Sequence, residues 1–278
     1  MKKQLSIFSI CLTVTAFVIC APLTGGAQDL AELERLADQD VKPFVVVQGI
    51  GTGAVARAQG VMISPRGHVL TAGHLCFDTV KSVFMEDFLV VLRTRTSEVP
   101  AGMVHSHESQ FIDRENTVYK EHHYEATVQK LNDSHFVDNR DLAVLKIKSS
   151  ADFPCVEFFS DDKPKLSIGD TLYLCHYPWV SHPTDPTFLV NPITVTGVAQ
   201  TPSGLQYLAE GYFRWGSSGG ALLKDGKLVG IQCSAYTVNV QDVGEMPMGL
   251  LSFHPVHRSM FKDFLSEEAP DGDGATEE

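Results

Sequence analysis

Beyond its first residues this sequence lacks any apolar run long enough to cross a bilayer, and it lacks an excess of positive charge. With 22 Lys and Arg against 34 Asp and Glu, the formal net charge is -12. A nucleic-acid backbone or an anionic membrane surface would repel such a chain, so neither is expected as its main partner. No internal repeat occurs. No alternation of strand and helix patterns occurs either, which argues against a parallel sheet. Cysteine is scarce once Cys11 and Cys20 of the leading segment are set aside, leaving Cys76, Cys155, Cys175 and Cys233. In an oxidising compartment Cys155 with Cys175 is the pairing expected, since both fall in one short stretch; buried free thiols are the alternative.

What is present begins with Met1, Lys2 and Lys3, followed by a mostly apolar run over residues 5–23. This reads as a secretory signal, with small Gly25 and Ala27 placing cleavage after residue 27. Cleavage after Cys20 and an uncleaved anchor helix are the alternatives. The mature chain is expected to be exported, with no stable membrane association once the signal is removed. A short helical pattern over 30–37 precedes a Val-rich stretch over 41–50, and short strands follow at 58–63, 68–72, 88–93, 126–131 and 142–147. A second series covers 171–176, 193–199, 205–209, 220–223, 228–232 and 249–253. Between them, the polar segment 148–154 and the charged loop 161–165 mark a boundary. The division expected is a signal over 1–27, a first unit with a leading helix over 28–150, a second over 151–266 closed by a helix at 257–265, and a disordered acidic tail over 267–278.

Three segments carry chemistry. Ser218 stands in Gly216-Ser217-Ser218-Gly219-Gly220, where flanking glycines allow a sharp turn and close approach of backbone amides. Those of Gly216 and Ser218 would face a developing oxyanion. His74 ends the apolar run Val69-Leu70-Thr71-Ala72-Gly73 and is a candidate base. Asp141 opens Leu142-Ala143-Val144-Leu145-Lys146-Ile147 and is a candidate to orient that base. Each segment alone has an ordinary structural reading, as turn, strand end or cap. Their order, His then Asp then Ser, is that of chymotrypsin rather than of subtilisin or the α/β-hydrolases.

The stretch from Gly60 to Gly67 running into Thr71-Ala72-Gly73-His74, the Asp141 strand, the segment from Gly216 to Leu222, and Gly226-Lys227-Leu228-Val229-Gly230-Ile231 together resemble the HtrA (Deg)-type trypsin-like serine proteases. The resemblance spans roughly residues 44–265. It implies an all-β, chymotrypsin-like fold of two six-stranded antiparallel barrels at right angles with a C-terminal helix. It also implies a triad of His74, Asp141 and Ser218 in the cleft, polypeptide substrates and no cofactor. Departures are Ser217 where Asn or Asp is usual, Gly73 where Ala is usual, and no segment expected to form a PDZ domain. An Arg-Ile-Val-Gly-Gly start to the first barrel is also missing, so activation by cleavage to a new N-terminus has no support.

The substrate pocket in this fold would be walled by residues 211–215, 232–236 and 248–250, giving Tyr212, Arg214, Ser234, Ala235, Met248 and Gly249 as candidate binding residues. None is acidic, so a preference for Lys or Arg is not expected; Tyr212, Phe213, Met248 and Leu250 suit small or medium aliphatic side chains. Arg214 is expected to face solvent. The histidines 105, 107, 122, 123 and 135 crowd the segment before Asp141 without a ligand pattern, and a solvated loop rather than a metal site is expected there. Cys233 is expected to pack rather than react. Two rival functions remain at this level: an esterase on the same fold, and a binding protein that has lost catalysis.

Overall fold

The structure, a computed structural model, describes residues 43–49, 57–78, 83–85, 87–94, 111–112, 118–129, 134, 136–177, 188–202, 204–213, 216–240 and 244–266. The expected signal, the leading helix, Arg214, the histidines 105, 107 and 135 and the acidic tail lie outside these residues.

The first barrel is built from β1 (Phe44–Gly49), β2 (Arg57–Met62), β3 (His68–Ala72), β6 (Asp87–Thr94), β8 (Val118–Val128) and β9 (Leu142–Ile147). Between β3 and β6 the chain forms the small hairpin β4 (Phe77–Asp78) and β5 (Val83–Phe84). The short β7 (Phe111–Ile112) precedes β8 and pairs with it. Antiparallel pairing runs β6-β1-β2-β3-β9-β8, and β8 returns to β6 to close the ring. The second barrel closes in the order β10 (Thr171–His176), β11 (Leu189–Thr201), β12 (Gly204–Gly211), β15 (Gly244–Pro255), β14 (Lys227–Val240) and β13 (Ala221–Lys224). A 3₁₀ turn over Arg258–Phe261 and the single helical turn α1 (Lys262–Leu265) end the described chain.

Why β3 and β9 read as continuous apolar runs is clear from where their alternate side chains go. Val69, Ala143, Leu145 and Ile147 enter the core of the first barrel, while Leu70, Leu142 and Val144 point the other way, into a cluster shared by both barrels. Period-two alternation therefore survives, but both faces are covered. The shared cluster joins Phe44, Val61 and Leu70 of the first barrel to Tyr173, Leu223, Leu228 and Ile231 of the second. Phe261, Phe264 and Leu265 of the C-terminal segment complete it. A third cluster, including Leu172, Ile193, Tyr207, Val229, Leu251 and Phe253, fills the second barrel.

Two expectations are corrected. Cys175 is a fully buried free thiol on β10, so it makes no disulfide with Cys155, which lies exposed on the connection between the barrels. Proximity in sequence did not bring the two together, because β10 enters the interior while residue 155 stays on the surface. His122 and His123 are not in a solvated loop either. They belong to β8, whose residues 121–128 alternate half-buried and buried against β6, and His122 is 2% exposed.

Candidate active site

Thr71-Ala72 is the last pair of β3, and a 3₁₀ turn over Gly73–Cys76 lifts His74 out of the sheet into an exposed position. Gly73 has to be small there: a Cβ would stand 2.5 Å from the Phe136 ring and 3.0 Å from the Leu142 nitrogen. Asp141 precedes β9, the antiparallel neighbour of β3, with Ala72 paired to Leu142. The pairing brings the two side chains together. The Asp141 carboxylate accepts from the His74 backbone N–H at Oδ1 (2.5 Å) and faces His74 Nδ1 at Oδ2 (2.8 Å). One carboxylate thus fixes both the backbone and the ring, and as acceptor at Nδ1 it selects the tautomer that leaves Nε2 free to accept a proton.

Asp141 is itself anchored from the second barrel. Its N–H donates to His254 Nε2 (3.3 Å), and the Cys233 thiol lies 3.4 Å from its carbonyl. His254, fully buried on β15, faces the Leu205 carbonyl through Nδ1 (3.2 Å). Accepting at Nε2 and donating at Nδ1 requires a neutral ring. Burial pushes the His254 pKa down, an effect that outweighs the favourable Leu205 contact and the nearby Asp141 charge. Burial, reinforced by the Asp141 charge, raises the Cys233 thiol well above its ordinary value, so Cys233 packs rather than reacts.

The Ser218 loop is seated on the first barrel. The Ser218 carbonyl accepts from Gln59 N–H on β2 (2.9 Å), and the next amide, Gly219 N–H, donates to the Gln232 carbonyl on β14 (2.8 Å). Gly219 has φ +82, and a Cβ there would lie 2.0 Å from the Gln59 carbonyl oxygen and 2.7 Å from Thr71 Oγ1. Close approach of this loop to the strands leading to His74 therefore requires glycine. Ser217 is 2% exposed and Ser218 half-buried. The structure brings His74 and Asp141 into direct contact and lays the Ser218 loop against β2 and β3; among the described residues no hydrogen bond joins the Ser218 hydroxyl to His74. Gly216, at φ +84, gives its carbonyl to the side-chain amide of Gln59 (2.9 Å).

Around the loop, Phe213 is buried in the core of the second barrel, while Tyr212 is 50% exposed. Ser234 is exposed, with its hydroxyl 2.6 Å from that of the buried Ser252, and Ala235 is half-buried beside it. Gly249 leaves open space: a Cβ there would meet only the Gly211 carbonyl at 3.7 Å. Met248 lies on β15. Two residues escaped the sequence reading, Gln59 and His254. Each is a polar residue inside an apolar strand, a signal that marks a burial conflict without naming its partner.

In shape the chain is similar to the HtrA-type protease AlgW, solved with a tripeptide: TM-score 0.55, 16% identity, covering 85% of this chain and 64% of that one. It is also similar to the MamO protease domain from Magnetospirillum magneticum in its apo form: TM-score 0.49, 17% identity, covering 84% of this chain and 100% of that one. At these identities the likeness speaks for the two-barrel fold alone, and it is the AlgW match that carries it. No curated protein matches the sequence. The family model of the trypsin-like peptidase domain matches residues 58–231, more than half of the chain and the whole stretch holding His74, Asp141 and Ser218, and the chain belongs to that family.

Proposed function

We propose that the chain is a serine endopeptidase in which Ser218 is the nucleophile, His74 the general base and acid, and Asp141 the group that orients His74. The observation that carries this reading is the double grip of one Asp141 carboxylate on His74, at the backbone N–H and at Nδ1. A histidine needed only for structure gains nothing from a free Nε2 at an exposed position. A base gains a fixed tautomer and orientation.

The chemistry follows. Ser218 Oγ attacks the carbonyl carbon of the scissile bond while its proton passes to His74 Nε2. The oxyanion forms against the amides of Gly216 and Ser218. Collapse breaks the C–N bond, His74 gives its proton to the departing amine, and an acyl-Ser218 ester remains. Water, deprotonated by His74, then hydrolyses this ester and restores the free enzyme. No metal or cofactor enters these steps. The stretches 211–215, 232–236 and 248–250, with Tyr212, Arg214, Ser234, Ala235, Met248 and Gly249 as the candidate binding residues, are the expected walls of the pocket for the residue before the scissile bond. These stretches hold no Asp or Glu in the sequence, which supports a preference for small or medium aliphatic residues. The first 27 residues support export of the mature chain.

The reading is tested by incubating an unfolded protein with the wild type and with Ser218→Ala. Cleavage mainly after aliphatic residues, lost on the order of 10⁴-fold or more in the variant, is expected. Equal turnover by a folded Ser218→Ala would dispose of the nucleophile. Predominant cutting after Lys, Arg or Glu would overturn the apolar pocket, and hydrolysis of simple esters without peptides would favour the esterase.

A further inference from the structure

Gln59 is 5% exposed, on the strand β2 of the first barrel, yet every polar atom of its side chain is engaged with the second barrel. Its Oε1 accepts from Tyr177 N–H (3.0 Å). One Nε2 hydrogen goes to the Tyr177 carbonyl (2.7 Å) and the other to the Gly216 carbonyl (2.9 Å). Its main chain is engaged as well: the N–H donates to the Ser218 carbonyl (2.9 Å), and the carbonyl accepts from Thr71 Oγ1 (2.6 Å), three residues before His74. A single residue thus touches the strand that delivers His74, the end of β10, and both Gly216 and Ser218.

We propose that Gln59 is a positioning residue that fixes the peptide between Gly216 and Ser217, and with it the turn that presents the Gly216 and Ser218 amides to the oxyanion. This rests on the reading of Ser218 as nucleophile. The downstream half of the loop is held by backbone bonds, with Gly219 N–H on the Gln232 carbonyl and Gln232 N–H on the Gly220 carbonyl. The upstream half, at Gly216, is a glycine at φ +84, where no side chain restricts rotation. With the peptide that joins Gly216 to Ser217 held from Gln59 Nε2, and the Ser218 carbonyl held from Gln59 N–H, the turn that carries the Gly216 and Ser218 amides is anchored between them.

Only an amide serves all three contacts. One acceptor and two donors on one planar group match one N–H and two carbonyls. A glutamate would turn oxygen toward two carbonyl oxygens, a methionine of similar size would offer no hydrogen-bonding group to that N–H and those two carbonyls, and an asparagine is one methylene too short.

The test compares wild type with Gln59→Met, Gln59→Glu and Gln59→Asn. It uses burst titration of active sites with an acylating ester, kcat and KM per titrated site on one peptide, affinity for a peptidyl aldehyde, and near-UV melting. Expected is a cooperative melt in at least one variant. In that variant kcat per site falls roughly 10- to 100-fold, KM stays within about threefold, and aldehyde affinity falls in step with kcat/KM. A merely structural role would lower the titrated fraction and leave kcat per site alone, and that result overturns the proposal. So does any folded variant with wild-type kcat, and so does a set in which none folds, since Gln59 is then needed for the fold itself. A wild type that shows neither burst nor turnover refutes the peptidase reading and this one with it.

Discussion

Asp141 holds His74 by two atoms of the histidine and is itself held through its own backbone by His254 and faced by Cys233. Its contribution is to accept at Nδ1 and so select the tautomer of His74, and an isosteric amide separates shape from that acceptance. Asp141→Asn keeps the shape but presents an N–H or a neutral oxygen to Nδ1, so the wrong tautomer of His74 is favoured. The expected loss in kcat is on the order of 10⁴-fold, with folding and KM little changed. Stopped assays on a peptide substrate measure it, and a loss under about tenfold would mean Asp141 does not orient a base. The cysteines make a separate prediction. Burial pushes Cys76 up to about 12, with the Asp141 charge adding to the effect, and raises Cys175 and Cys233 as well. Thiolate is the reactive form, so these three should resist iodoacetamide at pH 8 until the protein unfolds. Labelling of Cys233 in the native protein would contradict its packing role and make it a candidate nucleophile.

Among the elements, the Ser218 loop depends on a gap that one glycine provides. In Gly219→Ala the new methyl would meet the Gln59 carbonyl oxygen at 2.0 Å, and the backbone would keep φ +82. The loop has to lift off β2. The expected outcome is a destabilisation of about 2–3 kcal/mol in urea titration together with loss of nearly all activity. Wild-type stability and turnover in this variant would show that the loop does not sit on β2. The sequence disclosed these elements unevenly. The stretches expected at 68–72 and 142–147 coincide with β3 and β9, since the apolar runs there are bounded by His68 and Gly73 and by Asp141 and Lys148. β8 begins well before the stretch expected at 126–131, and β11, β14 and β15 extend well beyond theirs, because backbone pairing continues where side chains are polar or exposed, as at Pro192 and Asn239. The His74 and Asp141 segments were legible from their motifs, whereas the Gln59 contacts join residues 118 and 157 positions apart and leave no local pattern.

At the scale of the whole molecule, the apolar cluster between the barrels is also what holds the cleft, since Leu70 and Leu142 lie in it just before His74 and just after Asp141. Away from the cleft, His68 at the start of β3 is 2% exposed beside Ser64. Burial lowers its pKa to about 4, helped by the charges of Lys146 and Arg66. The unfolded chain takes up this proton near pH 6.5 and the folded one only near 4. Stability is therefore fully present above about pH 6.5 and falls as pH drops toward 4, by at most about 3 kcal/mol from this residue; the lowered His254 acts in the same direction. Urea unfolding at steps between pH 7 and 4.5 checks this. His68→Gln should flatten the profile, and an unchanged slope would place the loss elsewhere. The central claim, that this cleft activates Ser218, is tested most directly by reaction of the folded protein with a fluorophosphonate followed by mapping of the modified peptide. The account predicts one adduct, on Ser218, absent after denaturation and absent in His74→Ala. A wild type that stays unlabelled, or carries its adduct on another residue, would contradict it.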